Sequence, residues 1–363
     1  MSSRKREVKE ITKCLSQMDD IWQPRKKRID VERISSLYSF LKKKKEKHGL
    51  NLNDLSVEKI PYNTSLLHFL LYYTSYPKYP FVVVKDGNII FFALSGKHYN
   101  NLHVSLPVTS TPYSALDQLN QTLSHPSFIN LLKKCQVEQI LLRDIDDDFV
   151  NLLRENKYSF NLKSLRELNY SVYNLENTLD LSGNEFKNLR WHLNRFKKDD
   201  HKVEIVPLDD TTKPVVHLIG EWRKKSIEER DFSFVDVRSD KLAARFFGRL
   251  EEFNYEDEEI IGPEHVISRV LKVDGNIASF NLGFPLGVFK KQKVFAHAVG
   301  ISDLSIPHLA EYAQYDFWKQ IRKAGYRFVN DGPTWKDSLE TYKDKFRPIE
   351  KKRFYWANLK ASV

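Results

Sequence analysis

Cysteine is scarce in this chain. Cys14 and Cys135 are the only two, far apart and in no CxxC pair. That excludes a disulfide-framed secreted domain, argues against a thiolate metal site and fits a reducing compartment. The 11 histidines are scattered, with no HxxxH or HExxH spacing, so the sequence points to no metal centre. Long hydrophobic runs are missing as well. The most apolar stretch, SLLHFLLYY at 65–73, is far short of the ~20 residues a membrane helix needs. The N-terminus, MSSRKREVKE, has no apolar segment behind its basic residues and does not read as a secretory signal. A Walker loop, a G-x-G-x-x-G turn, a G-x-S-x-G elbow and a Ser-His-Asp arrangement are all absent. The expectation is a cytoplasmic protein, with peripheral membrane contact left open and the oligomeric state undetermined.

What is present is length, charge and pattern. The 363 residues are enough for two substantial cores. Apolar residues make up 41% and charged residues 29%, the balance of a folded globular chain. The net charge of +10 favours an anionic partner, whether nucleic acid, an acidic membrane surface or a phosphorylated cofactor. Residues 1–60 read as a basic helical extension. QPRKKR at 23–28 and LKKKKEKHG at 41–49 are its densest positive runs, with Leu37, Phe40 and Leu41 as a thin apolar stripe.

From Tyr79 the pattern becomes mixed α/β. YPFVVVKDGNIIFFALSG predicts two strands joined by a tight turn, and HVISRVLKVDGNIASFNLGFPL at 265–286 predicts a second such hairpin. Helical stretches and further strands follow each hairpin. The two DGN turns imply two related halves, 61–175 and 176–363, with mixed and mostly antiparallel sheets, not a doubly wound parallel sheet. The helix SIPHLAEYAQYDFWKQIRKAG is expected to end at Gly325 as its C-cap.

Two segments carry candidate chemistry. In LSGNEFKNLRWHLNRFKK (181–198), Ser182 and Glu185 read as a capping box. Phe186, Leu189, Leu193 and Phe196 share one helical face, and Lys187, Arg190, Asn194 and Lys198 share another. The second face is a cationic stripe suited to phosphate oxygens. In VNDGPTWKDSLETYKDKFRPIEKKRFYW (329–356), Asn330 and Asp331 end a strand, where binding groups collect in such folds. Tyr342, Lys343 and Phe346 lie on the helix beyond. Lys343 is placed to reach back to the strand end and offer a positive charge to an oxyanion or phosphate, and Lys345 and Arg347 are placed to do the same. A helix-surface lysine in that role would cost about 10²-fold in turnover when replaced by Ala, with little loss of stability.

These segments resemble the family of the phosphatidylglycerol lysyltransferase C-terminal domain, whose members carry two tandem acetyltransferase-like (GNAT) halves. YSVYNLENTLDLSGNEFKNLRWHLNRF (170–196) is similar to the family's strand, L-x-G turn and Arg-x-x-x-Asn helix, which places Arg190 and Asn194 on the first motif. AGYRFVNDGPTWKDSLETYKDKFRP (324–348) is similar to its second motif, which places Asn330, Leu339, Lys343, Phe346 and Pro348 there. DGPTWK departs from the turn that relatives often carry after the Asn.

The resemblance implies acyl transfer, most simply from aminoacyl-tRNA to an amine or hydroxyl of a lipid, peptide or small molecule. No bound cofactor is expected. Lys343 and Asn330 are the expected catalytic groups. Arg190, Asn194, Arg195, Lys198, Asp331, Tyr342 and Glu311 are expected to bind substrate, with Arg190 and Asn194 lining the cleft between the halves. Glu311 is also a candidate proton acceptor, against the plainer expectation of a helix-surface acid. An acyl-CoA donor is disfavoured: GISDLSIPHLAEY (300–312), where the pyrophosphate turn would fall, has one early Gly, and Pro307 lacks an N–H. Two rival readings stay open. One is an acyl-CoA-dependent N-acyltransferase, and the other a non-catalytic RNA- or membrane-binding module with a degenerate site.

Overall fold

The computed structural model describes residues 2–17, 21–23, 37, 40, 41, 43, 78–85, 88–96, 99–105, 112–155, 160–230, 238–248, 266–334 and 336–361. Most of the basic runs at 23–28 and 41–49 therefore lie outside the described residues. The chain divides into two compact units. The first comprises 1–52, 63–168 and 353–363, and the second 53–62 and 169–352.

In the first unit, α1 (Ser2–Leu15) is followed by strands β1 (Ile21–Trp22), β2 (Tyr79–Lys85), β3 (Asn88–Ser95) and β4 (Asn101–Ser105). Helices α2 (Pro112–Leu123) and α3 (Pro126–Lys134) then lead to β5 (Gln139–Ile145) and α4 (Asp147–Arg154). Strands β1 to β4 pair antiparallel in sequence order, and β4 pairs parallel with β5. Phe81, Phe92 and Phe128 pack ring on ring at 5.1–5.9 Å in the core. The basic N-terminal helix is not merely a solvated arm: Ile11, Cys14 and Leu15 are buried in this same core. Lys134 of α3 pairs with Glu10 at 3.0 Å.

Asp146 caps α4, its Oδ1 accepting the Phe149 N–H at 2.9 Å. Replacing Asp146 by Ala should cost about 1 kcal/mol. The urea midpoint would fall with an unchanged slope; an unchanged midpoint would show that the cap contributes nothing.

The second unit repeats the plan. Its elements are β6 (Phe160–Asn174, of which Asn169–Asn174 belong here), α5 (Leu175–Asp180), α6 (Lys187–Lys198) and β7 (Val203–Val206). They continue with α7 (Leu208–Arg230), α8 (Arg238–Phe247), β8 (Ile267–Val273), β9 (Asn276–Phe289) and β10 (Gln292–Ser302). Last come α9 (Leu309–Lys323), β11 (Phe328–Thr334) and α10 (Asp337–Asp344); β12 (Glu350–Ala361) then leaves this unit at Arg353 for the first. Strands β7 to β10 again form an antiparallel meander, and β10 pairs parallel with β11 across α9. The turn between β8 and β9 puts Asp274 at φ 47 and Gly275 at φ 87. Two consecutive positive φ values are the geometry that Asp-Gly supplies in a two-residue hairpin.

Each unit closes with an antiparallel strand beside its parallel pair. Asn169–Asn174 of β6 pairs antiparallel with β11, and Tyr355–Leu359 of β12 pairs antiparallel with β5. The C-terminal strand thus belongs to the first unit, although it follows the second in sequence.

The apolar face of α6 is as the periodicity predicts, with Phe186, Leu189, Leu193 and Phe196 all buried. The capping box is not. Asn184–Phe186 form a 3-10 turn, α6 starts at Lys187, and neither start has a side-chain cap. Arg190 takes over the bracing, donating from Nη1 to the carbonyls of Leu181 and, at 2.7 Å, Gly183. Those residues sit at φ 57 and φ 84, so the loop needs an external clamp on its carbonyls. Helix α9 likewise starts later than the sequence implies, after Pro307, and ends at Ala324 with Gly325 at φ 90 beyond it.

Candidate functional site

Within the second unit, β10 and β11 pair from Val294–Phe328 to Ala296–Asn330. Register shifts occur in the same region on both outer sides. On β10 the shift against β9 lies between His297 and Val299, and on β11 the shift against β6 lies between Asn330 and Pro333. Bulges re-aim side chains and backbone groups, and they gather next to functional sites. Here they place His297 and Asp331 side by side.

A buried polar network fills this point. Asp331 Oδ1 lies 3.0 Å from His297 Nδ1, and its Oδ2 accepts from Gln314 Nε2 at 3.3 Å. The Lys343 ammonium is 3.9 Å from the same carboxylate. Burial alone would raise the Asp331 pKa, but the Lys343 charge and the His297 bond outweigh it and hold the carboxyl below its usual range. His297 Nε2 faces Asn281 Oδ1 at 3.0 Å, and Asn281 Nδ2 donates to Ser279 Oγ at 3.1 Å. Trp318 Nε1 lies 3.2 Å from His297 Nδ1 and competes there with the carboxylate. The Asp331 and Asn281 contacts each ask for a ring N–H and the indole contact for a lone pair, so no single neutral tautomer serves all three. Tyr342 donates its hydroxyl to Gln314 Oε1 at 2.9 Å. Burial, then the Glu311 and Asp331 charges, push that phenol well above its ordinary pKa.

Lys343 is not the surface lysine the sequence implies. Its side chain is 5% exposed, and α10 is docked at its C-terminal end. Tyr173 donates its hydroxyl to the Lys343 carbonyl at 3.1 Å, and Thr178 Oγ1 donates to the Phe346 carbonyl at 3.2 Å. Phe346 is fully buried, 5.0 Å from the Trp318 ring. With the helix pinned there, Lys343 points inward under the β11 bulge. Its Nζ donates to the carbonyls of Asp331, Gly332 (2.9 Å) and Pro333 (3.4 Å). An ammonium has three hydrogens, and the main chain takes all of them. Desolvation lowers its pKa, partly offset by Asp331. Asn330 is fully buried too, and its Oδ1 accepts the Gly332 N–H at 2.8 Å, which fixes the bulge from the other side.

The remaining expected residues divide. Asn194, Arg195 and Lys198 are exposed on the polar face of α6. Arg190 is engaged with the loop before it. Glu311 is also corrected: it is buried, not a surface acid, and takes the Lys345 ammonium at 2.6 Å. Burial opposes its ionisation, but Lys345 holds the carboxyl below the usual range. Arg347 donates to the Glu185 carbonyl at 2.7 Å. Sequence reasoning did not single out His297, Asn281, Gln314 or Trp318. Their one signal is polarity inside otherwise apolar runs, such as His297 in VFAHAVG.

Near this network a second group of side chains converges. His192 Nδ1 is 2.8 Å from His308 Nδ1 and 3.6 Å from Glu311 Oε1. Among the described residues these three are the group with metal-ligand geometry.

The two meander-plus-parallel-pair units define a tandem GNAT-like fold. The family model for the phosphatidylglycerol lysyltransferase C-terminal domain matches residues 125–358, well over half of the chain. The chain belongs to that family, and its activity is of the acyltransferase type. A search of curated proteins found no match. Among solved structures, a conserved protein of unknown function from Bacteroides thetaiotaomicron is 19% identical, with 86% of this chain and 93% of that chain covered and a TM-score of 0.57. L-PGS from Bacillus licheniformis is 13% identical, with 92% and 93% covered and a TM-score of 0.52. FemX is 12% identical, with 85% and 95% covered and a TM-score of 0.52. No helix among the described residues is long and apolar enough to cross a membrane.

Proposed function

We propose that this protein transfers an aminoacyl group from aminoacyl-tRNA to an amine or hydroxyl of a lipid, peptide or small molecule. Family membership supports acyl transfer. The observation that carries the choice of donor is the turn opening α9. Asp303 Oδ1 already accepts from Ser305 N at 2.9 Å, Ser305 Oγ at 2.7 Å and Lys225 Nζ at 3.2 Å. Pro307 adds no N–H, and His308 caps nothing. A cofactor pyrophosphate would meet a resident carboxylate there instead of free N–H donors. The exposed face of α6, with Asn194, Arg195 and Lys198, suits the repeated phosphates of an RNA backbone.

The chemistry asks little of the protein. The acceptor atom attacks the ester carbonyl, the tetrahedral oxyanion collapses and the ribose hydroxyl of tRNA leaves with the acceptor's proton. Positioning and oxyanion stabilisation supply the rate. In this reading Lys343 and Asn330 act as positioning residues. They clamp the β11 bulge so that its backbone, with Asp331 and Tyr342, presents a fixed surface to the donor ester. A second reading, a non-catalytic RNA- or membrane-binding module, draws on the same lysine, whose ammonium hydrogens are all engaged by the main chain.

The test is a transfer assay with tRNAs carrying labelled amino acids, using phosphatidylglycerol vesicles, peptides and a cell extract as acceptors. Label leaving tRNA for an acceptor supports the proposal. tRNA or vesicle binding without transfer would move the assignment to the binding module, and transfer only from acyl-CoA would move it to an N-acyltransferase. Reversing charge in Arg195→Glu/Lys198→Glu should weaken tRNA binding. It should also flatten the dependence of log K on log salt by roughly 1 per lost phosphate contact. An unchanged salt slope would exclude this face as the RNA contact.

A further inference from the structure

We infer that His192, His308 and Glu311 form a binding site for a transition-metal dication of the Zn2+ class, with Lys345 as the internal cation that the metal displaces. The inference does not depend on the acyl-transfer reading, and it concerns residues that no acyl-transfer step uses as ligands.

The three donors come from α6 and from the first turn of α9. Their ligand atoms all lie within 4.8 Å of one another. Two imidazoles and one carboxylate are a donor set that Zn2+ takes with water in the fourth position. With bonds of about 2.0–2.1 Å, tetrahedral donors stand roughly 3.3 Å apart. The two separations made by His192 Nδ1 bracket that value: 2.8 Å to His308 Nδ1 and 3.6 Å to Glu311 Oε1.

The backbone is arranged around this meeting. His308 sits at φ 64, in the left-handed region that few non-glycine residues adopt. It occupies the N-cap position of α9 yet makes no capping bond. Its ring instead faces His192 through the same nitrogen, Nδ1 to Nδ1. Only one of the two atoms can carry the hydrogen of that contact. Metal binding would move this hydrogen to Nε2 of its own ring and leave both Nδ1 lone pairs for the ion. Trp191, 53% exposed, lays its ring against both imidazoles at 4.9 and 5.0 Å. An apolar cover of this kind limits water around a metal and tunes its ligands.

Glu311 is buried, and its charge is met by Lys345 at 2.6 Å. A dication entering between the histidines takes over that charge, and Lys345 is released. Metal and lysine therefore compete for one carboxylate.

The test uses the untagged full chain, stripped with chelator and then titrated with Co2+ and Zn2+. One Co2+ per chain is expected, with visible absorption of tetrahedral intensity that one equivalent of Zn2+ abolishes. His192→Ala, Glu311→Gln and His308→Gly should each weaken binding by at least about 100-fold, the upper end of what losing an outer-shell partner costs. The glycine variant relieves the positive φ, so its loss of metal cannot be ascribed to misfolding. Lys345→Met removes the competitor and should bind the ion more tightly than the unaltered chain, a gain that a damaged fold does not produce. Absence of stoichiometric binding would overturn the site. So would binding that survives in His308→Gly, and unchanged affinity in Lys345→Met would overturn the competition.

Discussion

Lys343→Met is expected to lower the unfolding free energy by about 3–5 kcal/mol, the range for removing one partner of a buried charge pair. The lysine donates to three carbonyls of the β11 bulge and faces Asp331 at 3.9 Å. Methionine fills much of the same volume but gives those acceptors nothing, and it leaves Asp331 short of a cation. Relief from desolving an ammonium works the other way, which is why the double variant Lys343→Met/Asp331→Leu should recover part of the loss. Urea unfolding of the two single variants and the double variant closes the cycle. Titration of Lys343 adds an alkaline signature. Its folded pKa is lowered by burial. Its stabilising share is therefore complete only above the ordinary lysine value, ~10.4, and is lost as pH falls through the folded value. Unaltered protein should gain stability in alkali relative to Lys343→Met. A methionine variant as stable as the parent would show the bulge to be self-supporting, and Lys343 would return to consideration as a free catalytic charge.

Asp331→Asn is the companion case. The amide keeps the shape and removes the charge that His297, Gln314 and Lys343 surround. A loss of about 3–5 kcal/mol is expected near neutral pH, because Lys343 is left as an uncompensated buried cation. The carboxyl is held below its usual range in the folded chain despite burial. Its contribution is fully present above the unfolded carboxylate value, ~3.9, and disappears as pH falls through the lower folded value. The stability gap between parent and variant should be constant above about pH 5 and narrow in stronger acid. A gap that stays constant down to acid unfolding would contradict an ionised Asp331 in the network.

These two side chains also show how far the sequence can be read. The hairpin around Asp274-Gly275 is legible because two positive φ angles have a local residue signature. The apolar stripe of α6 is legible because its period is local as well. Lys343 lies on the helix that the sequence predicts but faces inward rather than outward: YKDK carries no record of a helix end pinned by Tyr173 and Thr178 from about 170 positions away. His297 and Asp331, or His192 and His308, meet only through the tertiary fold, so no spacing rule brings them together. The capping box failed for a more local reason. Gly183 at φ 84 leads into a 3-10 turn, and that moves the helix start past the residues that would have capped it. The late start of α9 has the same character, since Pro307 and a left-handed His308 delay it.

The return of the C-terminal strand to the first unit bears on how the protein is made. Strand β5 lacks its antiparallel neighbour until Arg353–Ala361 has been synthesised, after the whole second unit. The first unit therefore cannot finish folding in the order in which the ribosome delivers it. Until then it presents an open strand edge that other nascent chains can join. Cells expressing this chain with the codons for 353–361 removed should accumulate it in inclusion bodies, with the second unit's own sequence intact.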